Sequence, residues 1–327
     1  MNIEAFQEYL QEKEISETDR EDLFSELTKF QAYLKSEEIQ LETIPKGKIQ
    51  EYTEKLVKEE NSALNIIRVM FSLATFLQKH DYTIELIDII ESYNAMDNLY
   101  LRLAEQHGED IRDRIFEDIH IPPIGSDPDK KPEITKKVIK RLEDEVGVEK
   151  TIDILAPCLH GRPIEPIKKD REDFLQSNNI DEFLKIKKTE FIERLEKHKE
   201  EGTPEYAQYI DEDVITYVKN KPTITPGVRQ GDKIIVTKIP YKMRDFLDAE
   251  DERLKRYYSC YCAWVRGAIR KGEEKEISAN FCNCSAGFFK QYWDVIFDQP
   301  VKVEPIETPL TEALECKFAV HIPEKFL

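Results

Sequence analysis

A chain of 327 residues with 40% hydrophobic content is long enough for two packed cores. Its 35% charged residues and formal net charge of −18 oppose a generic polyanion partner. No run approaches the roughly 18 apolar residues of a membrane-spanning helix, and the acidic start MNIEAFQEYLQEKE lacks the apolar stretch of a secretory leader. The expected place is the cytoplasm, where the cysteines stay reduced.

Residues 1–90 read as a helical bundle. Ser16 is placed to cap a helix whose apolar face is Leu23, Leu27, Phe30 and Leu34, a spacing near 3.6. Pro45 interrupts, and residues 48–58 form a second helix with Ile49, Tyr52 and Leu56 inward. Ser62 is placed to cap a third, which buries Ile66, Met70, Leu73 and Leu77. Residues 91–120 continue helical, with Leu99, Leu103, Ile111 and Ile115 as core positions. Pro122, Pro123, Pro128 and Pro132, with Gly125 among them, cannot continue a helix and set a boundary near 120–132. The expected domains are therefore 1–120 and 133–327.

The runs EYLQEKEISETDREDLFSELTKFQAYL, TIPKGKIQEYTEKLVKE and SALNIIRVMFSLATFLQK resemble the SAM-like core-binding domain of tyrosine recombinases in helix lengths, Ser-x-Thr entry and aromatic placement. That resemblance implies DNA contact. Yet residues 1–90 hold 10 Lys+Arg against 19 Asp+Glu, and a DNA clamp needs phosphate-neutralising cations. No Arg/His/Tyr strand-cleaving set follows. The expectation is a protein-interaction or packing bundle, with nucleic acid not expected as a partner.

Residues 133–146 form a helix ended by Gly147, and residues 148–155 another that runs into APCLHGRP. Cys158 and His160 either lie in a turn as a buried thiol and an exposed imidazole, or line the site of the later cysteines. Residues 170–201 are a charged helix with a sparse face of Phe174, Leu184, Phe191 and Leu195, broken near Asn178 and Asn179. Residues 202–231 are rich in loops. Residues 233–239 form a strand by their β-branched content, and 245–256 a short helix. Residues 257–269 read as a strand with Tyr258, Cys260, Cys262 and Trp264 on one face. Residues 276–284 read as the next, with Ser278, Asn280, Cys282 and Cys284 on one face, so a hairpin would gather both Cys-x-Cys pairs. Ser285 is placed to cap a helix carrying Phe288, Trp293 and Ile296, and strands 301–307 and 316–322 complete a four- or five-stranded sheet. The fold class is α+β: an all-α N-terminal bundle followed by an antiparallel sheet packed with helices.

The run FCNCSAGFFKQYWDVIFDQPVKVEPIETPLTEALECKFAVHIP resembles the end of the 4-vinyl reductase domain, the small-molecule-binding module of phenol-sensing transcription activators. The resemblance rests on Cys284 or Cys282, residues 285–287, Val303 with Glu304, and Cys316 followed by Phe318. It implies zinc, held by Cys284 (or Cys282), Glu304 and Cys316. Glu307 stands where the family has a further cysteine, and Gln291 where it has a second glycine. Cys260 and Cys262 have no counterpart. On a strand their sulfurs would lie about 6.5–7 Å apart, too far for an unstrained disulfide but able to reach a metal or line a cavity. Core filling and a redox pair are the other readings of these thiols. The resemblance also implies a pocket for a small apolar or aromatic ligand, with Trp264, Phe288 and Trp293 as its lining.

Walker, dinucleotide-binding, Gly-x-Ser-x-Gly and His-Glu-x-x-His patterns are absent from the sequence. The expected function is a cytosolic small-molecule-binding or sensor protein with a zinc-binding, cysteine-rich site. The alternatives are a cysteine- or metal-dependent hydrolase or reductase, and a nucleic-acid-associated protein acting through its N-terminal bundle. A protein partner or homodimer is left open.

Overall fold

The computed structural model describes residues 3–13 and 15–327. The fold is α+β, and the chain divides into two compact units. One holds the chain up to Tyr93 together with Pro122–Lys130 and Tyr206–Gln208; the other holds Asn94–Ile121, Lys131–Glu205 and Tyr209–Leu327.

The first unit is a bundle of α1 (Ile3–Glu12), α2 (Glu17–Ser36), α3 (Lys48–Glu60), α4 (Leu64–Phe76) and α5 (His80–Ile90). Ser16 caps α2, its Oγ accepting the Asp19 N–H at 3.1 Å. Leu23, Leu27, Phe30 and Leu34 are all buried, as their spacing requires, and pack with Ile49, Tyr52, Leu56, Ile66, Met70 and Leu73. The Tyr82 hydroxyl of α5 donates to Leu41 O (3.0 Å) and accepts the Ile44 N–H (2.8 Å), which pins the turn before α3.

The division falls at Tyr93, not near residue 120. Helices α6 (Ala95–His107) and α7 (Glu109–Ile115) join the second unit because Leu99, Leu103 and Ile115 bury against α8 (Lys131–Val146) and α9 (Val148–Leu155). Then α10 (Glu165–Gln176) and α11 (Ile180–Glu201) are separated at the expected break, where Asn179 caps α11 by accepting the Glu182 N–H at 2.9 Å. After α12 (Glu212–Asn220) come strands β1 (Val228–Gln230) and β2 (Lys233–Thr237). Helices α13 (Met243–Asp248), α14 (Glu252–Ser259), α15 (Arg266–Lys271) and α16 (Asn283–Phe297) follow, then β3 (Val303–Glu307) and β4 (Lys317–His321). The four strands form one antiparallel sheet in the order β1-β2-β4-β3, with Ile235 and Glu304 both opposite Ala319. Ile234, Val236, Phe318 and Val320 alternate inward from it onto Phe183, Trp293, Ile296 and Phe297.

The two strands expected over 257–269 and 276–284 are not formed, so there is no cysteine-bearing hairpin. Asp251 caps α14 instead, accepting the Leu254 N–H at 2.9 Å, and the helix runs to Ser259. Cys260 and Cys262 lie in the connection from α14 to α15, Cys282 ends a short 3-10 turn, and Cys284 lies in the first turn of α16. That helix starts at Asn283, so Ser285 is inside it and not its cap. Among the described residues no helix is long and apolar enough to cross a membrane.

Candidate functional site

The centre of the second unit is built by a turn that one arginine organises. The Arg102 guanidinium on α6 donates to the carbonyls of Ile154, Pro157 and Cys158, each at 2.9 Å. Asn98, one helical turn earlier, donates to Leu159 O at 2.6 Å. These bonds satisfy carbonyls that the end of α9 leaves open, and they fix residues 154–160 as a shaped loop. Helix α16 lies directly on it. A Cβ at Gly287 would meet Ala156 O at 2.5 Å and Cys158 N at 3.1 Å, so only glycine permits this approach.

That contact brings His160 to Cys284, Nε2 to Sγ at 3.5 Å. The Cys158 sulfur accepts the His160 N–H at 3.4 Å. From the end of β2, the Lys238 ammonium reaches Ser285 Oγ at 2.8 Å. It lies 4.9, 5.4 and 5.8 Å from the ring centroids of Tyr261, Phe288 and Phe289. Burial, and then the Lys238 charge, lower His160 to about 4. Burial pushes Cys284 up to about 12, as it does Cys282. Cys262 and Cys316 are also driven upward, first by burial and then by charge on Cys260. The sulfurs are thus within electrostatic reach of one another, and all six cysteines remain thiols.

This gathering is not a metal centre. Among the described residues no three of His, Cys, Asp and Glu could hold a metal ion, which corrects the expectation of zinc on Cys260, Cys262, Cys282, Cys284, Glu304, Glu307 and Cys316. The carboxylates explain part of the failure. They stand on the edge strand β3, engaged with their own cations. Glu304 meets Lys302 at 2.7 Å, His321 at 2.9 Å and Lys233 at 3.3 Å, and these hold its carboxyl down at about 2. Glu307 pairs with Lys317 at 2.7 Å.

Of the three aromatic residues expected to line a pocket, Trp264 and Trp293 are packed into cores. Trp264 is 0% exposed beside Cys260, and its carbonyl accepts the Thr135 hydroxyl at 2.7 Å. Trp293 stacks on Phe297 with centroids 5.1 Å apart. Phe288 alone keeps some surface, under two cations: Lys238, and Arg162 at 4.2 Å. Neither cation stood out in the sequence. Nothing local marks one lysine among 48 Lys+Arg as the one that faces an aromatic group.

In the first unit, Tyr33 of α2 and Tyr52 of α3 lie 4.9 Å apart by ring centroid. With Lys29, Ser36, Lys55, Glu59 and Glu60 they line a shallow groove of about 260 Å³. Lys48 and Lys55 both face the Tyr33 ring, at 5.6 and 5.4 Å. Lys48 is taken by Glu37 and Glu51, and Lys29 by Glu26 and Glu60. Lys35, Lys46, Lys55 and Lys58 are exposed with no carboxylate partner among the described residues.

Residues 3–79 match the family described as phage integrase, N-terminal SAM-like domain. No curated protein and no solved structure matches the chain. The N-terminal resemblance to recombinase core-binding domains therefore has support, and the C-terminal resemblance to the 4-vinyl reductase domain has none. The match also corrects the expectation that nucleic acid has no part in this protein. The earlier argument used net charge, and net charge does not report which cations are paired. Four lysines of α2, α3 and the turn between them leave their charge open to solvent.

Proposed function

We propose that the N-terminal bundle contacts duplex DNA, in the manner its family assignment suggests. The observation that carries this reading is the integrase-type match over residues 3–79. The exposed lysines Lys35, Lys46, Lys55 and Lys58 are the phosphate contacts it offers, and the surrounding carboxylates keep that contact weak. With about four phosphates neutralised, the logarithm of the binding constant falls with the logarithm of salt with a slope of about −3.6. The test is fluorescence anisotropy of the full chain with duplex DNA across a salt series. Binding at low salt that weakens on this slope, and is lost in Lys55→Glu/Lys58→Glu, supports the reading. No binding at low salt removes it. The same reading places the protein in the cytoplasm with its DNA, in keeping with six cysteines that remain thiols.

A second reading, small-molecule binding by the C-terminal unit, is favoured by one observation. The Lys238 ammonium is half-buried among aromatic rings with no carboxylate against it among the described residues. Calorimetric titration of the full chain with small anions tests it. Heat from none of them, or the same heat from Lys238→Met, ends it.

A further inference from the structure

The groove of the first unit, about 260 Å³ in volume, is lined by aromatic rings and by both signs of charge. Tyr33 and Tyr52 lie in its wall with ring centroids 4.9 Å apart. Tyr52 is 3% exposed, so the ring that reaches the surface is that of Tyr33, which is half-buried. Lys55 faces it, the ammonium 5.4 Å from the ring centroid and without a carboxylate partner among the described residues. Lys58 follows about one turn later on α3 and is exposed as well.

The negative charge gathers around Tyr52. Its hydroxyl donates to Glu26 at 3.3 Å, and Glu59 and Glu60 line the groove. Burial first, and then the charges of Glu26, Glu60 and Glu59, push the Tyr52 phenol upward. Lys29 offsets part of that charge, meeting Glu26 at 3.2 Å and Glu60 at 3.6 Å. Glu59 is exposed with no cation paired to it among the described residues.

A guest that answers this lining has an aromatic face for Tyr33, an anionic group for Lys55 and an N–H donor for Glu59. A phosphate alone is repelled by the carboxylates, and a purely apolar guest leaves the charges unanswered. A nucleotide carries all three features. The volume falls below the roughly 300–1,000 Å³ of a cleft for a drug-sized molecule and suits a single heterocycle. Within a duplex a base is stacked on both faces and paired along its edge, so a base must leave the stack to enter.

From these observations we infer that the groove takes one unpaired base of a DNA strand, the base lying on Tyr33, its flanking phosphates on Lys55 and Lys58, and its exocyclic amino group on Glu59. The inference rests on the reading of the bundle as a DNA contact and adds a preference for DNA that has lost pairing at one position. Lys55 is long and exposed, so it yields the ring face to the base while its charge stays at the phosphate.

The experiment is fluorescence anisotropy of the full chain at low salt with four DNA molecules of one parent sequence. They are a continuous duplex and the same duplex carrying a bulged cytosine, a bulged thymine or a bulged abasic site. The bulged cytosine should bind about tenfold more tightly than the continuous duplex. The abasic bulge, which bends as readily but brings no base, should bind no better than the continuous duplex. Thymine lacks an exocyclic amino group and should bind about fivefold more weakly than cytosine, a difference that Glu59→Ala should remove. Tyr33→Leu should abolish the advantage of the bulged cytosine, and Tyr33→Phe, which keeps the ring, should retain it. Equal binding of the continuous, abasic and cytosine-bulged duplexes would overturn this inference and leave the DNA reading standing. Absence of binding by all four would overturn both. Displacement of the bulged duplex by micromolar dCMP would assign the groove to free nucleotides and overturn the choice of a DNA strand.

Discussion

Cys284 Sγ lies 3.5 Å from His160 Nε2, and burial holds both groups neutral. The thiol is pushed up to about 12 and the imidazole down to about 4, so the pair is two uncharged groups in contact and not an ion pair. A cysteine–histidine nucleophile of the ion-pair kind would show the opposite shifts. Cys284 should therefore alkylate with iodoacetamide more slowly than a free thiol at neutral pH, with no inflection in rate between about pH 5 and 8. Peptide mapping after timed labelling reads this directly, and Cys284 labelling first among the six would contradict it.

The same imidazole sets an acid limit. Its folded pKa of about 4 lies below the ordinary histidine value of 6.5, so over that interval the unfolded chain binds the proton and the folded chain does not. His160's contribution is complete above pH 6.5 and is lost as pH falls toward 4, below which the loss levels off. The span corresponds to about 2–3 kcal/mol. Denaturant midpoints of wild type and His160→Gln, compared across that range, should converge as the pH drops. Parallel curves would show that His160 titrates normally.

Gly287→Ala should destabilise the second unit by about 1–3 kcal/mol, because the added Cβ meets backbone atoms that cannot swing aside. Gly287 has ordinary helical backbone, where Gly→Ala by itself gains up to about 1 kcal/mol, so any loss comes from the contact and not from backbone strain. A neutral or stabilising Gly287→Ala would show that close approach is not what Gly287 provides.

Arg102→Met should cost at least about 2 kcal/mol, since three carbonyls lose a charged donor together. The loss should be accompanied by faster amide hydrogen exchange around residues 154–160. Unaltered exchange there would mean that the loop holds itself.

Lys188 presents the reverse electrostatic case. Its ammonium donates to Ile224 O at 3.0 Å with no carboxylate beside it among the described residues, and burial lowers it to about 8. A lysine depressed in the folded state costs stability while it is charged in both states. That cost is present in full below pH 8 and is relieved as pH rises from 8 to the ordinary lysine value of 10.5. Stability of wild type relative to Lys188→Met should rise over this interval, by about 1–2 kcal/mol once the partial exposure of the side chain is allowed for. A flat difference would refute the depressed value.

The helical half was legible because each helix buries a single face. Leu23, Leu27, Phe30 and Leu34 recur at the period of the structure they form, and the break at Asn179 carries its own capping side chain. Strand β2 was legible from its β-branched run of Ile234, Ile235, Val236 and Thr237. The cysteine segment misled. Tyr258, Cys260, Cys262 and Trp264 alternate, but four residues of alternation also fit a helix end followed by an extended connection. Cysteine, moreover, is small and apolar enough to be buried in either. The approach of Lys238 and of Arg162 to Phe288 lay beyond the sequence altogether: the two cations stand 76 positions apart and meet one ring only through the fold.

The close approach at Gly287 has a mechanical consequence. Where one backbone rests on another with no side chain between them, there is nothing soft to compress, so helix and loop travel together. Cys284 on that helix and His160 on that loop consequently keep their spacing, because α16 is not free to slide along residues 156–158. Thiol and imidazole are registered to each other by main chain alone, and a single methyl group added at residue 287 would unseat both.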